Sequence, residues 1–249
     1  MQTISSYKDV ALALRAYRHT TKDGNPNQRG VLIHTEGTWK IENVILKEDT
    51  FNSTLEKILS INPSKIPEID LIYWIENFNS AISLLKLKNK KIKPIEEGMI
   101  NVQFSSMTRY EWLSNFFITV IYDSTYNMIY PSVENGYVAF KARKTNTANE
   151  EVIKFAHIID SKKVKQLGHS LWARATLDDD NEAIAEMRRL VTLKFQQNPF
   201  IASWLKKSQA TLEEFTADPF WGSALGTNYE ANSNHLGKII QQVRAALQE

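Results

Sequence analysis

Cysteine is absent from the 249 residues, which removes disulfides, thiolate zinc sites, iron–sulfur ligation and a thiol nucleophile. Glycine and proline number only 9 and 7, too few for a collagen-like or low-complexity chain. No run approaches the ~20 apolar residues of a membrane span. The opening MQTISSYKDV lacks the basic stretch and apolar run of a secretory signal, so the expectation is a cytoplasmic protein with no membrane partner, in a host's cytoplasm if the source is a virus. Excess charge is missing too: 30 Lys and Arg against 28 Asp and Glu leave +2, so any polyanionic partner must be held by a local patch. The GxGxxG, GxxxxGK[ST] and GxSxG patterns do not occur, which removes the sequence case for a Rossmann dinucleotide site, a P-loop NTPase or an elbow-type serine hydrolase. His19, His34, His157, His169 and His235 show no metal-ligand spacing, so no metal and no cofactor is expected.

What is present is a globular composition, 43 % hydrophobic and 23 % charged, long enough for one large domain or two smaller ones. The Pro- and charge-punctuated stretch LKNKKIKPIEEG puts a seam near residue 98. Residues 1–98 read as a small α+β accessory unit. It has a helix carrying Tyr7, Val10, Ala11 and Leu14 after a Ser5 or Ser6 cap, and a hairpin around Glu36-Gly37. A short helix follows over Thr54 to Leu59, then a strand or buried turn leading into a helix with Ala81, Ile82 and Leu85. Lys86, Lys88, Lys90, Lys91 and Lys93 either grip phosphate or form a solvated basic linker.

Residues 99–249 read as mostly helical after a strand at NVQF. Helical spacing marks Glu150 to Ile159, Asn181 to Gln197 (Ile184, Met187, Val191, Phe195) and Asn234 to Leu247 (Leu236, Ile239, Ile240, Val243), with Pro199 stopping the middle one. Such regular stripes imply that loops rather than helix faces build the site.

Two tracts carry candidate chemistry. Pro131 and Ser132 are helix-start residues, which places Glu134 in a first turn. Lys141, seven residues on, lies after about 700° of rotation, within roughly 20° of the same face and ~10 Å along the axis. A carboxylate and an ammonium so placed can address two parts of one ligand. Spacing alone fits that arrangement or separate surface ion pairs. The second tract runs from Asp218-Pro219-Phe220-Trp221-Gly222-Ser223 through Asn228 to Asn232-Ser233-Asn234-His235-Leu236-Gly237. A Trp beside Gly in a loop can stack on a planar base, and Asn or Ser at a helix start leaves backbone N–H groups free to hold a phosphate. The same residues serve equally as a core plug, a turn and an ordinary cap.

At these tracts the chain resembles the NADAR, or YbiA-like, family. The likeness runs in order through Phe104-Ser105-Ser106, Tyr110, Leu113-Ser114-Asn115-Phe116, Tyr130-Pro131-Ser132-Val133-Glu134, Ala139-Phe140-Lys141 and Leu167-Gly168. It continues through Lys194-Phe195, Asn198, Asp218, Trp221-Gly222 and Asn234-His235-Leu236-Gly237, covering about residues 100 to 247. It implies an α+β fold with a mostly helical C-terminal domain, and a hydrolase acting on N-glycosidic bonds to ribose. Glu134 and Lys141 match the family's motif Glu and Lys and are the implied catalytic pair. Ser114, Asn115, Tyr137, Gly168, Trp221, Gly222, Ser223, Asn234 and Gly237 are the implied substrate-binding set. Members commonly have His after the motif Glu, where this chain has Asn135, and an acid after Trp-Gly, where it has Ser223.

Two substrates follow from the resemblance. One is guanine carrying ADP-ribose in nucleic acid, cleaved in an antitoxin or anti-defence role; the appended N-terminal region and its lysines favour it. The other is a ribosylamino-pyrimidine phosphate of the riboflavin pathway. A non-catalytic module binding ADP-ribose or an NAD derivative is the third expectation.

Overall fold

Helix starts in this chain are written in its capping residues. Ser132 is extended and its hydroxyl accepts from the backbone N–H of Asn135, opening a helix over Val133–Lys144. Asn198 does the same for Ile201, with Pro199 at the first helical position; the proline that ends one helix begins the next. The computed structural model describes residues 31–35, 38–42, 55–56, 58–172, 180–223 and 233–249.

In chain order the elements are β1 (Val31–Thr35), β2 (Thr38–Glu42), α1 (Glu68–Lys88), β3 (Asn101–Phe104), β4 (Ile121–Asp123), β5 (Met128–Tyr130) and α2 (Val133–Lys144). They continue with α3 (Asn149–Ala156), α4 (Ser161–Trp172), α5 (Asp180–Gln196), α6 (Pro199–Lys207), β6 (Thr211–Glu214) and α7 (His235–Gln248). Among the described residues the strands form three two-stranded pairs. β1 and β2 are antiparallel, with Thr35 opposite Thr38, as the Glu36-Gly37 hairpin predicts. β4 and β5 are antiparallel, with Ile121 opposite Tyr130. β3 and β6 are parallel, and Phe104 lies opposite Glu214 across more than 100 residues of intervening chain. The fold is therefore α+β with a mostly helical body.

Several expectations change on contact with the structure. The strand or turn expected ahead of the helix near Ile69 is absent, because α1 runs unbroken from Glu68. Leu71, Ile75, Phe78 and Ile82 recur at helical spacing on its buried face, while Ile69 and Tyr73 stay exposed; continuous apolar density in the sequence hides that period. Neither α4 nor α6 stands out in the sequence. Lys163 and Lys165 are exposed on α4, while Val164, Gly168 and Leu171 turn inward and Leu167 packs half-buried against the core. The N-terminal helix expected over residues 5–14 lies outside the described residues.

The seam near residue 98 is not a break in packing. Leu55, Ile58, Leu71, Ile75, Phe78 and Ile82 form one buried cluster with Val120, Tyr122 and Ile129 of β4 and β5. Asn79, buried on α1, donates to the carbonyls of Val120 (2.7 Å) and Gln197 (2.8 Å), and its oxygen accepts from the Val120 N–H at 2.8 Å. Trp112, fully buried, donates from Nε1 to the carbonyl of Lys93 at 2.9 Å and meets Phe195 and Trp204 edge-on. Residues 55–97 are thus built into the body that carries the second half of the chain.

These contacts predict that Asn79→Ala costs about 2–4 kcal/mol, since it orphans a buried N–H and two buried carbonyls at once. Lys91→Ala, on the exposed surface, should stay within about 0.5 kcal/mol of the parent. Urea unfolding of both variants checks the difference.

Candidate active site

Nearly all of α2 is buried, from Val133 through Ala142, and only Glu134 within that stretch is half-exposed. A helix enclosed on almost every face leaves Lys141 buried and Glu134 only half-exposed, with little open surface for either. Both instead line one cavity of about 480 Å³, a size suited to small-molecule ligands. Tyr137, one turn after Glu134, lies between them on the same wall. No ion pair joins Glu134 to Lys141 among the described residues. The geometry expected from the seven-residue spacing is present.

Four other parts of the chain close the cavity. α4 brings Lys165, Gly168 and His169, and α5 brings Asp180 and Met187. The loop before β4 brings Asn115 and Phe116, and the segment from Glu214 to Trp221 completes the wall. Helix faces supply at least half of this lining, so the expectation that loops alone build the site is corrected. The physical reason is that α2 is central and its polar residues must open onto a hollow.

Gly168 is where α4 approaches α2. Its carbonyl accepts from Lys141 Nζ at 3.0 Å. A Cβ there would lie 3.2 Å from Val138 Cγ2, 3.4 Å from Lys141 Nζ and 3.8 Å from Glu134 Oε1. Glycine at this position leaves room for both the acid and the amine against α4. Lys141 also sits over the Tyr137 ring at 5.1 Å.

Electrostatics follow burial. Desolvation raises the Glu134 carboxyl above its ordinary value and Asp218 adds to the rise, while Lys141 and Lys165 oppose it. Desolvation lowers Lys141, against the pull of Glu134 and Asp218. Burial also raises the Tyr137 phenol, with Glu134 and Asp218 contributing. Two polar atoms of the lining, Tyr137 Oη and Asn115 Oδ1, are buried with no hydrogen-bond partner among the described residues. Orphans of this kind at a cavity wall are groups that a ligand can satisfy.

The other expected substrate-binding residues divide. Asn115 lines the cavity, and its carbonyl accepts from the Glu134 N–H at 3.1 Å. Ser114 is buried behind it, with its carbonyl accepting from Lys194 Nζ at 2.8 Å, and it opens onto a second cavity of about 370 Å³. Trp221 lines the main cavity, half-buried, edge-on to Tyr137 at 5.5 Å and to Phe220 at 4.8 Å. Gly222, Ser223, Asn234 and Gly237 do not line it. The N–H of Ser223 donates to the carbonyl of Glu214 at 2.8 Å. Asn234 spans the end of β6, donating to the Leu212 carbonyl at 2.9 Å and accepting from the Glu214 N–H at 3.2 Å. A Cβ on Gly237 would fall 2.1 Å from the Leu212 carbonyl oxygen. These residues weld β6 to α7 and the Trp221 loop, so the phosphate frame expected at the α7 start is replaced by a packing joint. Asn228 and Asn232 lie outside the described residues.

Of the seam lysines, Lys86 pairs with Glu111 at 2.8 Å and Lys93 with Glu96 at 2.6 Å. Lys90 and Lys91 are exposed, and the Lys88 side chain lies outside the described residues. Asn135 turns away from the cavity and donates to the Ile158 carbonyl at 2.7 Å. Its difference from the usual histidine therefore touches the α2–α3 joint.

Sequence reasoning missed Glu214, Lys165 and Phe116 as lining residues. Glu214 had a signal: it falls two positions after Leu212 in a strand, hence on the buried face.

A family model, the NADAR domain, matches residues 103–248, more than half of the chain. The chain belongs to the NADAR family. That family is associated with N-glycosidase activity. Among solved structures, the NMR structure of the Escherichia coli protein YbiA is similar, with 20 % identity and a TM-score of 0.51, covering 64 % of this chain and 90 % of that one. At that identity the likeness speaks for the fold, which is the YbiA-like α+β arrangement. No curated protein matches. No described helix is long and apolar enough to cross a membrane.

The NADAR cavity predicts unequal glycine effects. At Gly222 a Cβ would lie 2.4 Å from the Glu214 carbonyl oxygen, a rigid backbone atom, so Gly222→Ala should lose about 1–3 kcal/mol or more of stability. Gly168→Ala meets mainly side-chain ends, so it should cost less stability while displacing Lys141. Thermal unfolding of the two variants, with ligand binding to Gly168→Ala, separates fold from site.

Proposed function

We propose that this NADAR protein hydrolyses an N-glycosidic bond to ribose, and that its substrate is guanine bearing ADP-ribose in nucleic acid. The observation that carries the proposal is the pairing of Glu134 and Lys141 on one helix face, opening into a single cavity walled by Tyr137 and Trp221.

Cleavage of a ribosyl C–N bond develops positive charge at C1 and the ring oxygen. Glu134 is the carboxylate placed to stabilise that charge or to take a proton from the attacking water. Lys141 has two roles open to it. As an ammonium it holds a ribose or phosphate oxygen; as the free amine favoured by its lowered pKa it attacks the opened sugar aldehyde to give a Schiff base. Asn115 and Tyr137 offer their unpartnered polar atoms to ribose hydroxyls, and the Trp221 face takes a planar base. Contact with a phosphate backbone falls to the exposed Lys90 and Lys91, since Lys86 and Lys93 already face carboxylates. An antitoxin or anti-defence role follows from removing ADP-ribose from nucleic acid.

Incubation with guanine-ADP-ribosylated DNA, with ribosylamino-pyrimidine phosphate and with NAD, followed by mass spectrometry, tests the substrate. Released ADP-ribose from the DNA supports the proposal, and cleavage of the pyrimidine phosphate alone redirects it to a small nucleotide. Glu134→Gln should lower kcat by ~10²-fold or more with little change in affinity. Borohydride should trap a covalent adduct at Lys141 if the amine reacts; normal turnover without an adduct leaves Lys141 the binding role.

A further inference from the structure

Glu214 is a buried carboxyl with no evident structural duty. It ends β6 on the inward face, 8 % exposed, and its carboxyl has no hydrogen-bond partner among the described residues. It lines the main cavity beside Glu134 and also the adjoining one of about 370 Å³, standing where the two meet. The Trp221 loop is tied to it: Ser223 donates its N–H and its hydroxyl to the Glu214 carbonyl, and Gly222 lies against that same carbonyl. Trp221, Glu214, Glu134 and Lys141 all line the one cavity, so the indole, this carboxyl and the acid–amine pair surround the same space.

We infer that Glu214 is a further catalytic residue of this site, the acid that protonates the departing base. The inference rests on the N-glycosidase reading above. When the C1–N bond breaks, its electron pair moves to nitrogen, and the Glu214 carboxyl delivers a proton to the base. Water adds to C1 and gives a proton to Glu134. Proton exchange with solvent then restores both carboxyls, so the net change is addition of one water across the C–N bond. The second cavity, lined by Ser105, Ser106 and Thr216 among others, leaves room beyond the scissile bond for whatever the base is attached to.

The groups facing Glu214 fit this division of labour. Burial, with Glu134 on α2 and Asp218 in the loop, raises its pKa to about 7, while Lys194 on α5 and Lys165 on α4 oppose the rise. Burial raises Glu134 as well, with Lys141 and Lys165 opposing the rise. Two carboxyls facing one cavity disfavour each other's ionisation, which leaves one of them to act as the proton donor.

The test compares leaving groups. A guanine-type nitrogen must gain a proton to leave, whereas nicotinamide departs from NAD as a neutral molecule without one. Glu214→Gln should slow release of the guanine-type base by ~10²–10³-fold and change release of nicotinamide by less than about threefold. Glu134→Gln should slow both. The wild-type rate should fall as pH rises through about 7, where the acid form is lost, and that limb should vanish in Glu214→Gln. Glu214→Asp, with unfolding midpoints measured for every variant, guards against misfolding and should retain part of the rate. Equal rates for Glu214→Gln and wild type on the guanine-type substrate overturn this inference and leave the N-glycosidase reading standing. A wild-type enzyme that cleaves no substrate overturns both. Carboxyl ¹³C NMR adds a readout independent of turnover: a Glu214 resonance titrating near neutrality supports the inference, and one titrating in the usual carboxylate range overturns it.

Discussion

Everything in this molecule turns on the enclosure of α2. The helix packs against α3, α4 and α5 with its backbone sealed from water, yet it carries an acid and an amine two turns apart. Neither charge can be dehydrated in an apolar core without a large penalty. The structure answers with a hollow, lined by polar groups, into which both open. Gly168 sets the width of that hollow at its α4 wall, and Asn115 fixes the first turn of α2 by accepting the Glu134 N–H. Ser132 caps the same turn. The site is less a feature added to the fold than the way the fold tolerates its central helix.

A second layer holds the far wall. β3 and β6 pair in parallel across nearly the whole family domain, and Asn234, Gly222 and Gly237 press the Trp221 loop and α7 onto β6. These small or amide residues are needed because backbone meets backbone there. Behind the Asn115 loop, buried Lys194 donates to the Ser114 carbonyl, and burial pulls its pKa down to about 7. Outside this body, α1 and the preceding helical turn cover β4 and β5, with Asn79 stitching three backbone groups. The described residues of α1 and the turn before it are therefore packed into the same body as the cavity walls.

Much of this was legible in the chain itself. Pro131-Ser132 announced the start of α2, and the seven-residue interval put Glu134 and Lys141 on one face. The 3.6-residue stripes of α5 and α7 placed Met187, Val191, Ile239 and Ile240 in the core, where they lie. Short-range signals fail where long-range contact decides. The alternation in Thr211–Glu214 points Glu214 inward, but nothing local reveals that the strand pairs with residues more than 100 positions earlier and so brings Glu214 to the cavity. Asn234 and Gly237 have the look of a phosphate cradle, but the nearest acceptor they meet is the β6 backbone. The lysine run looked uniform; in the fold, Glu111 and Glu96 claim two of its members.

The central claim is that Glu134 and Lys141 share one dehydrated space and feel each other across it. NMR titration of the Lys141 side chain, in the wild type and in Glu134→Gln, measures that coupling directly. Burial should hold Lys141 below the ordinary lysine value, and neutralising Glu134 should lower it further, because the carboxylate supports the ammonium. A Lys141 that titrates like an exposed lysine and does not respond to the substitution would contradict the account.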